Sequence, residues 1–351
     1  MRIAQVAPLF ERVPPVAYGG TERVVAYLTD ALVELGHEVT LFASGDSITR
    51  ARLVPAAARS LRLDESCHDQ MASQIHQLEL VSRVSHRFDV IHFHTGFLHL
   101  PLARHLGAPS VTTMHGRLDS PELVPLMDEF ADAPFVSISD HQRRPFPRLH
   151  WSATVYHGLP VRLLPFRAAP DGYVAFVGRI SPEKRVDRAI EIAARAGLEL
   201  RVAAKIDAVD RDYYAREIEP LMRQPHVRYL GEIGDAEKAT LLGGARALLF
   251  PIDWPEPFGM VVIEALSCGT PVLAWPGGSV PELIEPGVNG WIVDSIDEAV
   301  AALAHVADID RAACRASFDR RFTAERMARD YVGVYRRLRD ATRGHLEART
   351  A

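Results

Sequence analysis

The sequence predicts an α/β protein built from two doubly wound sheets, and three observations carry that prediction. At 351 residues, with 48% hydrophobic content, the chain can fill two cores of ordinary size. Short apolar runs alternate with segments of helical periodicity from Arg2 onward. The alternation then restarts at Tyr173, after a His157-Gly158-Leu159-Pro160 segment that reads as a hinge. The expected division is residues 1–160, residues 161–322 and a C-terminal helix over 323–351.

Arg2 to Ala7 reads as a buried first strand. The loop PLFERVPPVAYGG leads to Thr21, expected to cap a helix ending near Gly36, and Glu38 to Ala43 forms the second strand. Gly19 and Gly20 stand directly before that helix, where bare amides and the helix dipole suit a phosphate; an ordinary loop glycine pair is the alternative. Residues 44 to 65 mix arginine, proline and alanine and give only a loop with room for one short strand. Met71, Ile75, Leu78, Val81 and Val84 recur at helical spacing, so residues 66 to 87 are expected to form one helix with its apolar face in the core.

Asp89 to Phe93 is a strand that sets His92 and His94 on one face, joined later by His99. No third ligand has recognisable metal spacing, so these read as satisfied core and cleft histidines rather than a metal site. Ser110 to Met114 delivers His115-Gly116 to the carboxyl end of a strand, where open α/β sheets bind ligands; a loop histidine without a role is the alternative. Phe135 to Ser139 is a further strand. The segment after it interleaves Arg143, Arg144 and Arg148 with Phe146 and Trp151, which suits an anionic membrane, an acidic acceptor or a plain solvated surface. Thr154 to Tyr156 closes this half.

In the second half, Tyr173 to Val177 is a strand ending at Gly178. The turn GRISPEK brings Arg179 and Lys184 to the start of a helix, Val186 to Ala196. A planar guanidinium and a compact ammonium beside helix amides make a diphosphate site in physical terms, with surface charge as the alternative. Leu200 to Ala204 ends in Lys205, a third candidate cation. The chain holds only three lysines, Lys184, Lys205 and Lys238, which makes each conspicuous. RDYYAREIEPLM reads as an amphipathic helix, Val227 to Leu230 as a strand before a Gly231-Glu232-Ile233 loop, and Asp235 to Gly243 as a helix.

Residues 250 to 278 hold the densest signal. A strand from Ala247 to Phe250 runs into a loop where Pro255 and Pro257 stiffen Glu256. Gly259 lets backbone approach a ligand, and the amides of Phe258, Gly259 and Met260 open a helix carrying Glu264. If most of the span between the glutamates is helical, they lie roughly 12 Å apart. Glycosidase pairs sit at about 5 to 9.5 Å, so these acids fit the two ends of one long ligand better than a single bond. Pro271 to Ala274 is the next strand, and Gly287 to Val293 with a helix from Asp297 to Ala307 follows. Met327, Tyr331, Val334, Tyr335 and Leu338 share one face of a last helix from Thr323 to about Leu346. Asp308-Ile309-Asp310 spells a D-x-D, but in an alanine-rich late segment it reads as chance.

Composition narrows the function. A net charge of −5 and a pI near 6.3 argue against nucleic-acid binding by bulk electrostatics. Cys67, Cys268 and Cys314 are odd in number and scattered, which suggests neither disulfides nor zinc and fits a reducing compartment. With no charged-then-apolar leader and no apolar run of about 18 residues, a cytoplasmic protein without a membrane span is expected. The missing G-x-G-x-x-G pattern disfavours an NAD enzyme.

Glu256, seven residues, Glu264, then a small-residue run to Gly269-Thr270-Pro271 and a Gly277-Gly278 turn before Pro281-Glu282 resemble the signature of family 4 retaining glycosyltransferases. This is the group 1 class with the GT-B fold. The resemblance implies two Rossmann-like domains facing across a cleft, the first on the acceptor side, the second holding a nucleotide sugar. The last helix would cross back onto the first domain. Gly19 and Gly20 would lie near the donor diphosphate and His115 near the donor sugar. Gly178, Arg179 and Lys184 would hold the two phosphates, the cations stabilising the departing diphosphate in place of a metal. Gly231 and Ile233 would touch the base, largely through backbone. Glu256 and the amides of Phe258, Gly259 and Met260 would hold the sugar hydroxyls, and Glu264 the ribose. Many members carry Asn-Gly at the hinge, where this chain has His157-Gly158.

The expected donor is a nucleotide-diphosphate sugar, UDP ahead of GDP, with no cofactor and no metal. In a same-face mechanism the leaving phosphate deprotonates the acceptor and anomeric configuration is retained. The acceptor is a small molecule, a glycan or a lipid-linked species, selected by residues 8–20, 44–65 and 116–150, with weak peripheral membrane contact as one option and no nucleic acid. A nucleotide-sugar epimerase or glycoside phosphorylase on the same fold is one rival, and a non-catalytic sugar-binding protein is another.

Overall fold

Two all-parallel sheets organise the chain in the computed structural model. The first has seven strands in the order β3-β2-β1-β4-β5-β6-β7. They are β1 (Arg2–Val6), β2 (Glu38–Ser44), β3 (Arg52–Ala57), β4 (Val90–Phe93), β5 (Ser110–Thr113), β6 (Phe135–Ser137) and β7 (Trp151–Thr154). The second has six, ordered β10-β9-β8-β11-β12-β13. These are β8 (Tyr173–Arg179), β9 (Glu199–Lys205), β10 (Val227–Gly231), β11 (Leu248–Phe250), β12 (Val272–Ala274) and β13 (Gly290–Ile292). Each sheet reverses its winding once, between β1 and β4 and between β8 and β11. Ligands of open α/β sheets bind beyond the carboxyl ends of such a pair.

The described residues are 1–16 and 19–350, the side chains of 345–350 excepted. Ala17 and Tyr18, in the loop expected to help select the acceptor, and Ala351 lie outside them. The chain divides into unit 1, Met1–Gly158 with Ala324–Ala351, and unit 2, Leu159–Thr323.

In unit 1, apolar strand residues such as Ile3, Ala4, Val6 and Ile91 are fully buried, as strands covered on both faces require. The last helix, Ala324–Thr350, packs against the helix Gly20–Glu34, with Met327, Tyr331, Val334 and Tyr335 buried. Three expectations need correction. The first helix starts at Gly20, not after Thr21, because Gly19 takes φ 152° and its carbonyl accepts the Arg23 amide. Residues 66 to 87 do not form one helix with a continuous core face. Asp69 caps a helix Gln70–Val84 by accepting from the Met71 and Ala72 amides, and Met71 and Ile75 are exposed. Its buried positions are Val81 and Gln77, the latter because its amide donates to the carbonyls of Ala7 and Phe42. The last strand is Trp151–Thr154 rather than Thr154 to Tyr156, since Trp151 pairs in register with Phe135. Residues 44 to 65 do contain a strand, the edge strand β3.

In unit 2 the core gathers Val174, Phe176, Ile190, Leu200, Val202 and Leu249. The segment RDYYAREIEPLM is not one regular helix: a π turn over Tyr214–Ile218 interrupts it. The helix Arg311–Arg321 was not legible in the sequence, since its buried face is only Arg311, Cys314, Ser317 and Phe318. Arg311 is nine-tenths buried and donates to the carbonyls of Arg167, Gly243 and Ala245 and to the Thr270 hydroxyl. The D-x-D aspartates serve that region, Asp310 capping the helix through the Ala312 amide and Asp308 pairing with His305.

Candidate active site

Unit 2 places Gly178 and Arg179 at the end of switch strand β8 and Lys205 at the end of its neighbour β9. Parallel pairing of β8 with β9 sets Gly178 beside Ala204 and Arg179 beside Lys205, so the two cations leave the sheet side by side. Carboxylates surround them. Arg179 pairs with Glu183, with Asp207 at 3.6 Å and with Asp210 at 3.5 Å, and Lys205 lies 3.0 Å from Asp207. Burial raises the Asp210 carboxyl, and Arg179 offsets part of that rise. Burial pushes Glu183 the same way, but its own amide, Arg179 and Ser181 together hold it below the usual range.

Lys184 ends a short 3-10 turn, Pro182–Lys184, not the first turn of the following helix. Arg185 follows at φ 52°, the left-handed conformation that side chains rarely adopt, held by Asp187 and Asp253. This turn brings Lys184 to the Glu256 carboxylate across 72 residues of sequence. Trp254 Nε1 donates to the same carboxylate at 2.8 Å, and the Lys184 ammonium lies 4.6 Å from the Trp254 ring centre.

The position of Glu256 is fixed by backbone against backbone. A side chain at Gly278 would meet the Glu256 carbonyl at 2.1 Å, and one at Gly277 would meet the Trp254 carbonyl at 2.5 Å. The Ser279 amide donates to Glu256 O, and the Ser279 hydroxyl donates to Phe258 O at 2.7 Å. Only glycine fits that turn, which gives the Gly-Gly pair its physical reason.

The helix of Glu264 spans Met260–Ser267 with Gly259 at φ 87° as its cap. Residues 256 to 259 are therefore loop, and only the part of the span between the two glutamates from Met260 onward is helical. The acids also do not share a partner. Glu264 is buried and pairs with Lys238 at 2.8 Å, whose ammonium also lies 3.6 Å from Asp235. All three lysines of the chain thus pair with carboxylates here. Gly231 ends β10 at φ 72° after a register shift, and Ile233 packs against the buried cluster formed by Tyr173, Ala175, Ala203, Leu241 and Ala245.

Unit 1 holds Gly19, Gly20 and His115. Gly19 has Pro15 and the Glu22 carboxylate close by, whereas Gly20 faces open space. Glu22 is buried, and burial raises its carboxyl. His115 follows β5 in a turn clamped by Gln142, whose amide donates to the carbonyls of Met114 and Gly116 at 2.8 Å each. His115 Nε2 contacts His94 Nδ1 at 2.8 Å, and its ring stacks on His157 with centres 5.2 Å apart. His94 Nε2 contacts Gln5 Oε1, and Gln5 Nε2 donates to the Tyr335 hydroxyl. The same hydroxyl meets His92 Nδ1, and His92 Nε2 meets Thr113. His99 meets Thr112 and Thr95. Every ring nitrogen of His92, His94 and His99 is hydrogen-bonded within the fold, as core histidines require. Burial keeps all five rings neutral: it pushes His99 and His115 down to about 3 and holds His92, His94 and His157 well below 6.5.

Arg143, Arg144 and Arg148 do not form one surface with the neighbouring aromatics. Phe146 is buried, Trp151 donates to its carbonyl, and Arg143 turns inward to Ser137 and stacks over Trp151. Only Arg144 and Arg148 are exposed, so this segment has no apolar wedge for a bilayer. Among the described residues, no helix is long and apolar enough to cross a membrane.

Two family models cover most of the chain, the one for group 1 glycosyl transferases over residues 167–313 and the one for glycosyltransferase family 4 over residues 18–159. The chain belongs to the group 1 glycosyltransferases. This glycosyltransferase is 26% identical to the phosphatidyl-myo-inositol mannosyltransferase of Mycolicibacterium smegmatis, over 89% of this chain and 86% of that one. It is 25% identical to the O-antigen chain mannosyltransferase B of Escherichia coli, over 54% of this chain and about half (52%) of that protein. The crystal structure of AviGT4, a glycosyltransferase involved in avilamycin A biosynthesis, superposes with a TM-score of 0.73 at 26% identity, over 97% of this chain and 98% of that one. The two parallel sheets are those of the GT-B fold.

Sequence reasoning on this glycosyltransferase missed Trp254, Lys238, Gln5 and Tyr335, together with the acids around Arg179. Lysine rarity was a usable signal for Lys238, and the position of Trp254 two residues before Glu256 was another. Gln5 and Tyr335 carry none, since each reads as an ordinary position in a strand or a helix face.

Proposed function

We propose that the chain transfers a sugar from a nucleotide-diphosphate sugar to a hydroxyl of a small-molecule, glycan or lipid-linked acceptor, with retention and without a metal. The observation that carries this reading is the meeting of Lys184 with Glu256 in the segments that follow switch strands β8 and β11, with Arg179 and Lys205 side by side at the ends of β8 and β9. It supports a site where cations and a carboxylate are already held at hydrogen-bonding distance before substrate arrives. Arg179 and Lys184 take the diphosphate and stabilise the charge that grows on it as the anomeric bond breaks. Lys205 adds a third cation, and Gly178 lets the phosphates approach. Glu256 and the amides of Phe258, Gly259 and Met260 bind sugar hydroxyls, Glu264 binds the ribose, and Gly231 and Ile233 contact the base. His115 addresses the transferred sugar, and Gly19 and Gly20 the diphosphate. The acceptor oxygen attacks on the face the diphosphate leaves, and a phosphate oxygen takes its proton.

UDP is the first nucleotide to test, ahead of GDP. Cys67, Cys268 and Cys314 are free thiols, which supports a reducing compartment such as the cytoplasm. Thermal shift with chelator present, comparing UDP, GDP, ADP, dTDP and NAD, tests the donor class. A ligand at 100 times its dissociation constant adds about 2.7 kcal/mol of stability. A rise with one nucleoside diphosphate and none with NAD is the expected result, and a rise with NAD alone would overturn the reading. Product NMR then separates transfer with retention from epimerisation or phosphorolysis.

A further inference from the structure

The polar interior of unit 1 holds one continuous chain of hydrogen bonds that begins at the Thr113–Tyr331 hydroxyl pair and has an open end at a histidine. From Thr113 it runs through His92, Tyr335, Gln5 and His94 to His115, every contact between 2.7 and 3.0 Å. Gln5, His92 and Tyr335 are fully buried and His94 is 3% exposed. The open end is His115 Nδ1, which is buried and has no partner among the described residues.

Each neutral imidazole has one donor and one acceptor nitrogen, so the orientation of the Gln5 amide fixes the His94–His115 branch in one of two polarities, whichever way His92 shares the Tyr335 hydroxyl. In the first, the Gln5 amide donates to Tyr335, whose hydroxyl donates to His92 Nδ1, and His92 Nε2–H donates to Thr113. On the other branch the Gln5 carbonyl accepts from His94 Nε2–H, so His94 Nδ1 accepts from His115 Nε2–H. His115 Nδ1 is then a bare acceptor. Reversing every bond leaves a ring N–H at His115 Nδ1 with no acceptor and no freedom to rotate. The first polarity leaves only a hydroxyl hydrogen in the Thr113–Tyr331 pair, which turns to suit its surroundings. Buried orphan N–H groups are the rarer defect.

We propose that Gln5, His94 and Tyr335 are positioning residues that lock His115 in its Nε2–H tautomer, so that Nδ1 accepts a hydrogen bond from a hydroxyl of the bound sugar. This inference rests on the glycosyltransfer reading for the ligand, but its tautomer is a property of the free protein. The site then discriminates by donor capacity: a sugar hydroxyl satisfies Nδ1, whereas a deoxy or fluoro sugar leaves it buried and unpaired. Because Tyr335 lies on the last helix, that helix takes part in orienting the site and does not merely cover the sheet.

The test is a long-range proton–nitrogen correlation spectrum of the full-length protein with 15N-labelled histidine, His115 being assigned by its loss in His115→Gln. The expected result at neutral pH is a protonated Nε2 and an unprotonated Nδ1. A protonated Nδ1 would overturn the proposal, whether or not transfer is observed. Tyr335→Phe keeps the buried ring and removes the hydroxyl that orients Gln5. It is expected to mix the His115 tautomers and lower kcat about tenfold while nucleotide affinity stays unchanged. A single unchanged tautomer together with unchanged kcat in that variant would also overturn it. Failure of the glycosyltransfer reading would show instead as the absence of any nucleoside-diphosphate binding, with the tautomer result intact.

Discussion

Two sheets of the same winding treat their buried polar groups in opposite ways. Under the centre of the unit 1 sheet they are neutral, histidines, a glutamine, threonines and tyrosines that spend their hydrogen bonds on one another, and the buried Glu22 and Arg23 of this unit lie apart on the helix Gly20–Glu34. Unit 2 keeps them charged, with Lys184 on Glu256, Lys238 on Glu264 and Arg179 among three acids. A neutral network fixes geometry and resists exchange, since each broken bond leaves a buried group unpaired. The partly exposed ion pairs of Arg179 are poised for exchange, since an incoming diphosphate can replace a carboxylate on a cation at small net change in charge pairing, whereas the Lys238–Glu264 pair is buried. The contrast assigns orientation to unit 1 and charge stabilisation to unit 2.

The largest effect that separates the two roles is expected at Glu256. Glu256→Gln keeps the size of the side chain but removes its charge, so transfer should fall by about 100-fold or more. The same change releases Lys184, so UDP affinity should hold or rise. Turnover assay and calorimetry read the two quantities separately, and unchanged turnover would remove Glu256 from the mechanism.

Acid should then strike unit 1 before unit 2. His92, His94, His99, His115 and His157 fold neutral, while the unfolded chain takes up protons below about pH 6.5. Their contribution is complete above that pH and drains as pH falls toward the folded values, at about 1.4 kcal/mol per pH unit for each histidine. Hydrogen exchange between pH 7 and 5 should show strands β1, β4 and β5 losing protection while β8, β9 and β11 change less. Equal losses in both sheets would contradict the neutral and charged division.

Much of this was legible in the sequence, and the failures have physical causes. Strands β1, β2, β4 and β5 announced themselves as short runs rich in apolar and β-branched residues, although Gln5, His92 and Thr113 within them are buried polar groups. The helix Val186–Ala196 matched to the residue, since glycine at Gly197 ends it in the left-handed conformation. The helix Arg311–Arg321 escaped because its anchor is a buried arginine satisfied by carbonyls from distant segments, and periodicity sees only apolar faces. The exposed Met71 and Ile75 show the reverse error, apolar residues at helical spacing that reach no core. At the site, motif order pointed to Arg179, Lys184, Glu256 and Glu264, but their partners come from other segments, as when Lys184 reaches Glu256 across 72 residues and Lys238 reaches Glu264. The unit 1 network joins residues as far apart as Gln5 and Tyr335. No local pattern encodes those.

Smaller effects sharpen the picture of unit 2. Lys238→Met removes the counter-ion of Glu264 and should weaken UDP and uridine alike, by about tenfold, if Glu264 grips the ribose. A loss confined to UDP would move Lys238 to the phosphates. Glu183→Gln removes one competitor for Arg179 and should tighten UDP binding about threefold, with uridine unchanged, because the pair is partly exposed and screened.

The central claim is that the cations at the ends of β8 and β9 and in the following turn hold a donor diphosphate. Calorimetric titration of UDP and of uridine into wild-type protein and Lys184→Ala, with chelator present, tests it most directly. The account predicts that Lys184→Ala loses at least tenfold in affinity for UDP and almost none for uridine. Equal losses for both ligands, or no loss for either, would contradict it.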